Sequence, residues 1–263
     1  MSKKILITGA SGTVGTAAAK HLASEGHYVI GVSRSVDENC YSECHQLDLL
    51  DGKDLERLED VLEDVDVVFH LAWNVGVENF DTGEKWPGNM EMYENVLNAA
   101  AKAEVSTFIN GSSIHAGTGS IPAYTVEASL EDTPEPYRSS IDPETDFDLR
   151  KEEPEKLLSA LEDDPDSPYG ESKVETEHVL REKVEDGVFE LGVSIRIGGV
   201  NPEDKNEIEG EPYYPSLYWS HADLGRTVER IADSKEKGYF QFYGVSDNPG
   251  RIFSIETVFH PEN

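Results

Sequence analysis

Lys4-Ile5-Leu6-Ile7-Thr8-Gly9-Ala10-Ser11-Gly12-Thr13-Val14-Gly15 is a short apolar run followed by three glycines spaced three apart. The apolar run reads as a buried strand. Gly9 permits a tight turn, Gly12 lets backbone approach a pyrophosphate, and Gly15 lets the next helix pack closely on the strand. A helical pattern continues through Ala17, Ala18, His21 and Leu22 and stops at Gly26, after which Tyr28-Val29-Ile30-Gly31-Val32 reads as a second strand. Strand, glycine turn, helix and strand in this order form the context of a dinucleotide fingerprint. The phosphates are expected at the helix N-terminus, with Ser11, Thr13 and Val14 between the glycines.

The end of the second strand selects between the two nicotinamide cofactors. A carboxylate there would hold the adenosine ribose diol and repel a 2′-phosphate. Ser33-Arg34-Ser35 stands there instead, and a guanidinium flanked by hydroxyls suits bidentate phosphate contact. NADP is therefore the expected cofactor, with NAD as the alternative. Asp48, after the apolar Leu47, is placed to meet the adenine amino group.

Farther along, residues 52–63 read as a helix, Asp66–Ala72 as a strand running into a loop, 88–103 as a helix and Thr107–Asn110 as a strand. Strands separated by helices of this length predict a Rossmann-like α/β fold. It is a doubly wound parallel sheet with helices on both faces and a small C-terminal substrate-binding portion. One domain over 1–263 is expected, with the cofactor core in 1–197 and the substrate part in 198–263. Residues 120–166 break the alternation: they hold six of the thirteen prolines and 15 acids against 4 bases. That segment reads as an acidic surface excursion beside the active site, either covering it or serving as a passive solubilising insert.

Ser167-Pro168-Tyr169-Gly170-Glu171-Ser172-Lys173 opens a helix reaching about residue 185. Tyrosine and lysine four apart share one helix face. A nearby ammonium favours the phenolate, which makes Tyr169 a general base toward a substrate hydroxyl.

The chain carries 53 acids against 22 bases in 263 residues, a formal charge of −31. Nucleic acid and anionic lipid are excluded as partners, because both need a basic footprint. Acids spread over a globular sequence fit a high-salt cytoplasm, where screening relieves their repulsion. No run is long and apolar enough for a membrane helix, and Met1-Ser2-Lys3-Lys4-Ile5 lacks the apolar stretch of a signal peptide, so a cytoplasmic location is expected. Cys40 and Cys44 have no second ligand pair nearby, so no metal site is expected. His21, His27, His45, His178 and His260 read as surface residues.

Together these motifs resemble the extended short-chain dehydrogenase/reductase superfamily of the NAD-dependent epimerase/dehydratase type, over about residues 1–250. Gly9–Gly15 matches its cofactor loop, His70-Leu71-Ala72 its strand end, and Ser113, Tyr169 and Lys173 its catalytic triad. Asn89 falls on its buried helix asparagine, and Arg196 with Asn201-Pro202 on the segment after its sixth strand. The resemblance implies that Leu49, Leu71, Ala72 and Ile197 also touch the cofactor. It further implies that Trp73, Ile114, His115, Gly199, Tyr213, Tyr214 and Trp219 face the substrate, with His221 a further pocket candidate. A homo-oligomer, dimer or tetramer, is implied as well.

Ser112-Ser113-Ile114-His115 and Tyr218-Trp219-Ser220-His221 look like the bacterial uronate dehydrogenases, but no arginine lies between Arg196 and Arg226 to hold a carboxylate. That departure, with the overall charge, favours a neutral sugar, as in the aldose 1-dehydrogenases of halophilic archaea. L-arabinose is expected ahead of D-galactose and D-xylose. C1 is then oxidised to a lactone: Tyr169 takes the hydroxyl proton, Ser113 holds the reacting oxygen, and Asn89 supports a water relay to Lys173. Uronate dehydrogenation and nucleotide-sugar epimerisation or dehydration are the alternatives.

Overall fold

The structure, a computed structural model, describes residues 2–35, 40–74, 87–124 and 130–261. The apolar run forms β1 (Lys4–Thr8), the helical pattern forms α1 (Thr13–Ser24), and β2 (Tyr28–Ser33) lies parallel to β1. Then follow β3 (Glu43–Gln46), α2 (Gly52–Val61), β4 (Val67–His70), α3 (Pro87–Lys102) and β5 (Thr107–Ser113). The chain continues through the short α4 (Tyr137–Ile141) and α5 (Leu149–Glu152), the long α6 (Pro168–Glu185) and β6 (Leu191–Ile197). It ends with α7 (Tyr214–Leu217), α8 (His221–Ala232) and β7 (Gly238–Gly244). Among the described residues the strands form one parallel sheet in the order β3-β2-β1-β4-β5-β6-β7.

This is the Rossmann-like arrangement that the sequence predicts. Strand order runs outward in both directions from β1, so a crevice opens beyond the carboxyl ends of β1 and β4, where such sheets take ligands. Ile5 and Ile7 face a core shared with Ala18 and Leu22 of α1 and with Leu224 and Val228 of α8. Leu6 faces the opposite core, with Leu58 of α2 and Tyr93 and Val96 of α3. Burial on both faces explains why β1 is continuously apolar instead of alternating. The sequence reading assigns no strand at β3 or β7. Both are sheet edges with one neighbour each, and β3 (Glu43-Cys44-His45-Gln46) has too little apolar content to signal itself.

The acidic segment is more than a surface excursion, because apolar residues along it are buried. Its residues 125–129 lie outside the described residues. Ile121, Tyr124, Ile141, Leu149 and Ala160 pack with Tyr243, Ile252 and Phe253 in a third buried cluster. Apolar side chains spaced among the acids do this, and the average charge of the segment conceals them. Its end is held by Arg196 of β6, which is fully buried. Arg196 Nε and Nη2 donate to Glu177 of α6 at 3.0 and 2.8 Å, while Nη2 reaches Asp163 at 2.9 Å and Nη1 the Glu162 carbonyl at 2.6 Å. Ser112 Oγ donates to the same Glu177 carboxylate.

Two histidines expected at the surface are buried. His27 Nδ1 accepts from the Lys3 N–H at 3.2 Å, and a His260 ring nitrogen meets the Val245 carbonyl at 3.2 Å. No described helix is long and apolar enough to cross a membrane.

Candidate active site

The cofactor cleft is built on the β1–α1 turn. Gly9 has φ +66°, and a Cβ there would lie 2.8 Å from the Leu71 carbonyl carbon and oxygen. Only glycine fits both the left-handed backbone and the close approach of the loop after β4. Thr8 fixes that loop: its hydroxyl oxygen accepts from the N–H groups of Leu71 at 3.1 Å and Ala72 at 3.2 Å. With both acceptor positions taken, the hydroxyl donates its proton to His70 Nδ1 at 2.9 Å. The His70 proton is thereby placed on Nε2, which has no hydrogen-bond partner among the described residues and whose ring meets Tyr93 edge-on at 5.4 Å. Burial, reinforced by the Lys173 charge, pushes His70 down to about 3 and keeps it neutral.

Gly9, Ser11 and Gly12 line the cleft together with Ser33, Arg34, Asp48, Leu49, Leu71, Ala72 and Trp73. Ser11 and Ser33 join their hydroxyls at 2.9 Å, and Arg34 is exposed at the mouth. Asp48 uses one carboxylate oxygen on the Leu50 N–H at 3.1 Å. Gly12, the N-cap of α1, has no side chain, so no capping side chain competes for the first-turn N–H groups beside the cleft. Of the residues expected at the phosphates, Val14 and Gly15 are placed by packing. Thr13 begins α1, Val14 packs on the central core, and Gly15 lies against Gly9 and Ala10, where a Cβ would come 3.0 Å from the Gly9 carbonyl oxygen. Val14 and Gly15 thus support the turn by packing, and Ser35 is exposed beyond the lining residues.

Ser167 caps α6 by accepting from the Gly170 N–H at 3.1 Å, with Pro168 at the first helical position. Gly170 brings the helix against the end of β5, since a Cβ there would overlap the His115 carbonyl oxygen at 2.1 Å. One turn separates Tyr169 from Lys173. Lys173 is buried, donates to the Gly111 carbonyl at 2.9 Å and lies 3.7 Å from the Trp73 ring centroid. The Tyr169 ring stands between Trp73 at 6.4 Å and His115 at 5.7 Å, both edge-on. Asn89 is used differently from the expected relay. Its Oδ1 accepts from Asn74 N at 2.8 Å and its Nδ2 donates to the Asn74 carbonyl at 3.3 Å, so it clamps the loop carrying Trp73.

On the far side of Tyr169 a second cavity is lined by Ser113, Ile114 and His115, by Ile197 and Gly199, and by Tyr124, Glu211, Tyr213 and Tyr214. Ile197, expected at the cofactor, therefore faces the second cavity. His115 shares 2.6 Å between its Nδ1 and Asp166, whose carboxylate is 1% exposed and also accepts from Thr118 Oγ1 at 2.9 Å. Ser113 Oγ accepts from the His115 N–H at 3.3 Å. Trp219 does not line this cavity, and that expectation is corrected. The Gly199 N–H bonds the Leu217 carbonyl and Trp219 N–H the Gly199 carbonyl, both at 2.8 Å, which turns the Trp219 ring into the sheet core at 1% exposure. His221 likewise serves the loop, with Nε2 2.9 Å from the Asn201 carbonyl.

Sequence reasoning missed Asp166, Tyr124 and Glu211. Asp166 sits three residues before Tyr169, a spacing that could have flagged it; the other two reach the cavity only through packing of the third cluster.

The family model described as NAD dependent epimerase/dehydratase family matches residues 5–195. GDP-mannose 3,5-epimerase 1 of Oryza sativa subsp. indica is 27% identical over 197 residues, which are 74% of this chain and 45% of the rice protein. The chain thus spans about half the length of the curated relatives it matches. Among solved structures, a glucuronic acid dehydrogenase from Chromohalobacter salexigens superposes with TM-score 0.67 at 24% identity, covering 97% of this chain and 80% of that one. A uronate dehydrogenase from Agrobacterium tumefaciens gives 0.66 at 21% identity, with 96% and 80% covered. These two likenesses concern the fold. With a glycine turn, a tyrosine–lysine helix and a matching model over most of its length, the chain belongs to the NAD dependent epimerase/dehydratase family.

Proposed function

We propose that this protein is a nicotinamide-dependent dehydrogenase that oxidises C1 of a neutral aldose to the lactone, with NADP preferred and L-arabinose the leading substrate. One observation carries the reading: Tyr169 stands between Trp73, which lines the dinucleotide cleft, and His115, which lines the second cavity. The Gly9 cradle, which a Cβ would fill, and the uncapped α1 N-terminus fit a dinucleotide. Gly12 and Ser11 would hold its phosphates, Arg34 with Ser33 a 2′-phosphate, and Asp48 the adenine. When bound, the nicotinamide supplies the hydride acceptor.

The chain's own groups handle the proton. Ser113 Oγ and the Tyr169 hydroxyl hold the C1 oxygen, and Tyr169 takes its proton as C1 becomes a carbonyl. The Lys173 ammonium, held by Gly111 and Trp73, favours the phenolate that does this. Asn89 keeps Trp73 in place, and the aromatic wall of Tyr124, Tyr213 and Tyr214 gives a monosaccharide an apolar face to lie against. Among the described lining residues no lysine or arginine offers a carboxylate partner, which supports a neutral sugar. The charge of −31 supports a high-salt setting.

The test is a matrix of NADP and NAD against L-arabinose, D-xylose, D-galactose, D-glucose and D-glucuronate. The expected result is highest kcat/KM for L-arabinose with NADP. Glucuronate as best substrate would replace this reading by uronate dehydrogenation, and turnover of a nucleotide sugar alone would replace it by epimerisation.

A further inference from the structure

Among the described residues that line the cavity beyond Tyr169 there is one carboxylate, Glu211, and no lysine or arginine. Glu211 lies in its wall, half-buried, where the chain turns into α7. Its N–H donates to the Ile208 carbonyl at 3.1 Å and its carbonyl accepts from the Tyr214 N–H at 3.0 Å, so its backbone is fixed on both sides. Most polar groups around it are already engaged. Tyr214 hydroxyl accepts from Asn201 Nδ2 at 2.9 Å, Tyr124 hydroxyl is paired with Ser216 at 2.9 Å, and His115 with Asp166. The Glu211 carboxylate, by contrast, makes no hydrogen bond or ion pair with a described residue. Its charge reaches the neighbouring phenols: burial first and Glu211 after it raise Tyr213, and burial and Glu211 raise Tyr214 against the lowering bond from Asn201. Lys173, the ammonium beside Tyr169, is turned toward the Gly111 carbonyl and the Trp73 ring.

We infer that Glu211 is the specificity-determining residue of this cavity, accepting hydrogen bonds from the hydroxyls of a neutral sugar and excluding a sugar that carries a carboxylate. An ionised carboxylate is acceptor-only, with room for two hydroxyl donors, and charge-assisted bonds of this kind are the stronger ones. A second carboxylate brought into the same partly desolvated wall meets like charge, with no lysine or arginine among the described lining residues to offset it. The inference rests on the neutral-aldose reading and adds the residue that enforces it.

L-arabinose, D-galactose and D-galacturonate share ring configuration and differ at one carbon, which bears hydrogen, hydroxymethyl or carboxylate. Steady-state kinetics of the intact enzyme and of Glu211→Gln on these three sugars separate the possibilities, with melting temperature as the folding check. The expected result is a KM for both neutral sugars raised roughly tenfold at nearly unchanged kcat, and kcat/KM for galacturonate raised roughly tenfold. Glu211→Arg should raise galacturonate turnover further. Equal losses on all three sugars, or an unchanged ratio between galacturonate and the neutral pair, would overturn the inference and leave the aldose reading standing. Wild-type preference for galacturonate would overturn both.

Discussion

Glu177→Gln removes one charge from the buried pair that joins α6 to β6, while keeping the shape of the side chain. Glu177 and Arg196 are both fully excluded from solvent, and the carboxylate takes two guanidinium N–H groups at 3.0 and 2.8 Å. An amide accepts at one atom only and presents N–H to N–H at the other. Removing one partner of such a pair costs about 3–5 kcal/mol, because an uncompensated charge is left buried. Asp163 and the Glu162 carbonyl still face the guanidinium, which puts the expected value near ~3 kcal/mol. For a chain of this size that is a fall in Tm of roughly 6–12 °C. Asp163 is 35% exposed, so Asp163→Asn should cost under about 1 kcal/mol. The assay is urea and thermal unfolding followed by circular dichroism, with kcat measured on the same preparations. Because Glu177 also holds Ser112, next to Ser113, kcat should fall with stability. A Glu177→Gln enzyme within about 1 kcal/mol of wild type would refute the account of a desolvated pair.

Tyr169→Phe should lower kcat by roughly 10²–10⁴-fold while dinucleotide affinity, read by fluorescence titration, stays near wild type; a loss under tenfold would remove the proton-acceptor role. Gly9→Ala forces a side chain into φ +66° and against Leu71, so it should cost at least about 1–2 kcal/mol and weaken dinucleotide binding in a calorimetric titration. His70 stays neutral in the folded protein down to about pH 3, whereas the unfolded chain protonates it near 6.5. Between those values the unfolded state binds more protons, so stability rises with pH and is lost by about 1.4 kcal/mol for each unit the pH is lowered, and above 6.5 the histidine is neutral in both states. His70→Asn should flatten that slope in unfolding curves taken from pH 7 to pH 4. Raising salt from about 0.1 to about 1 M shortens the screening length from about 10 to about 3 Å, so Tm should rise steeply at a net charge of −31; equal values at both salts would refute a high-salt setting.

The parts of this molecule that signal themselves locally were legible in the sequence. β1, the Gly9 turn and α1 follow one another within twenty-odd residues, and Tyr169 and Lys173 share a helix face by spacing alone. What depends on residues distant in sequence was not legible. His115 meets Asp166 only because Gly170 lets α6 press on the end of β5, and Glu211 reaches the cavity only after α7 docks. Trp219 misled because aromatic character is common to sugar walls and cores, and backbone bonding to Gly199 decides which way it points. Asn89 kept its expected place but clamps a loop, since both of its polar atoms meet Asn74. In the acidic segment the mean composition outweighed the scattered isoleucines and leucines that anchor it.

The third buried cluster has a consequence for inheritance of function. The dinucleotide cleft is supported by the two cores on either side of the sheet, whereas the cavity beyond Tyr169 leans on Ile121, Tyr124, Ile252 and Phe253. Changes there can reshape the wall of that cavity without disturbing the turn at Gly9. Divergence of substrate range and constancy of redox partner can therefore proceed on separate parts of one chain. A library confined to the third cluster is the economical place to look for new substrates.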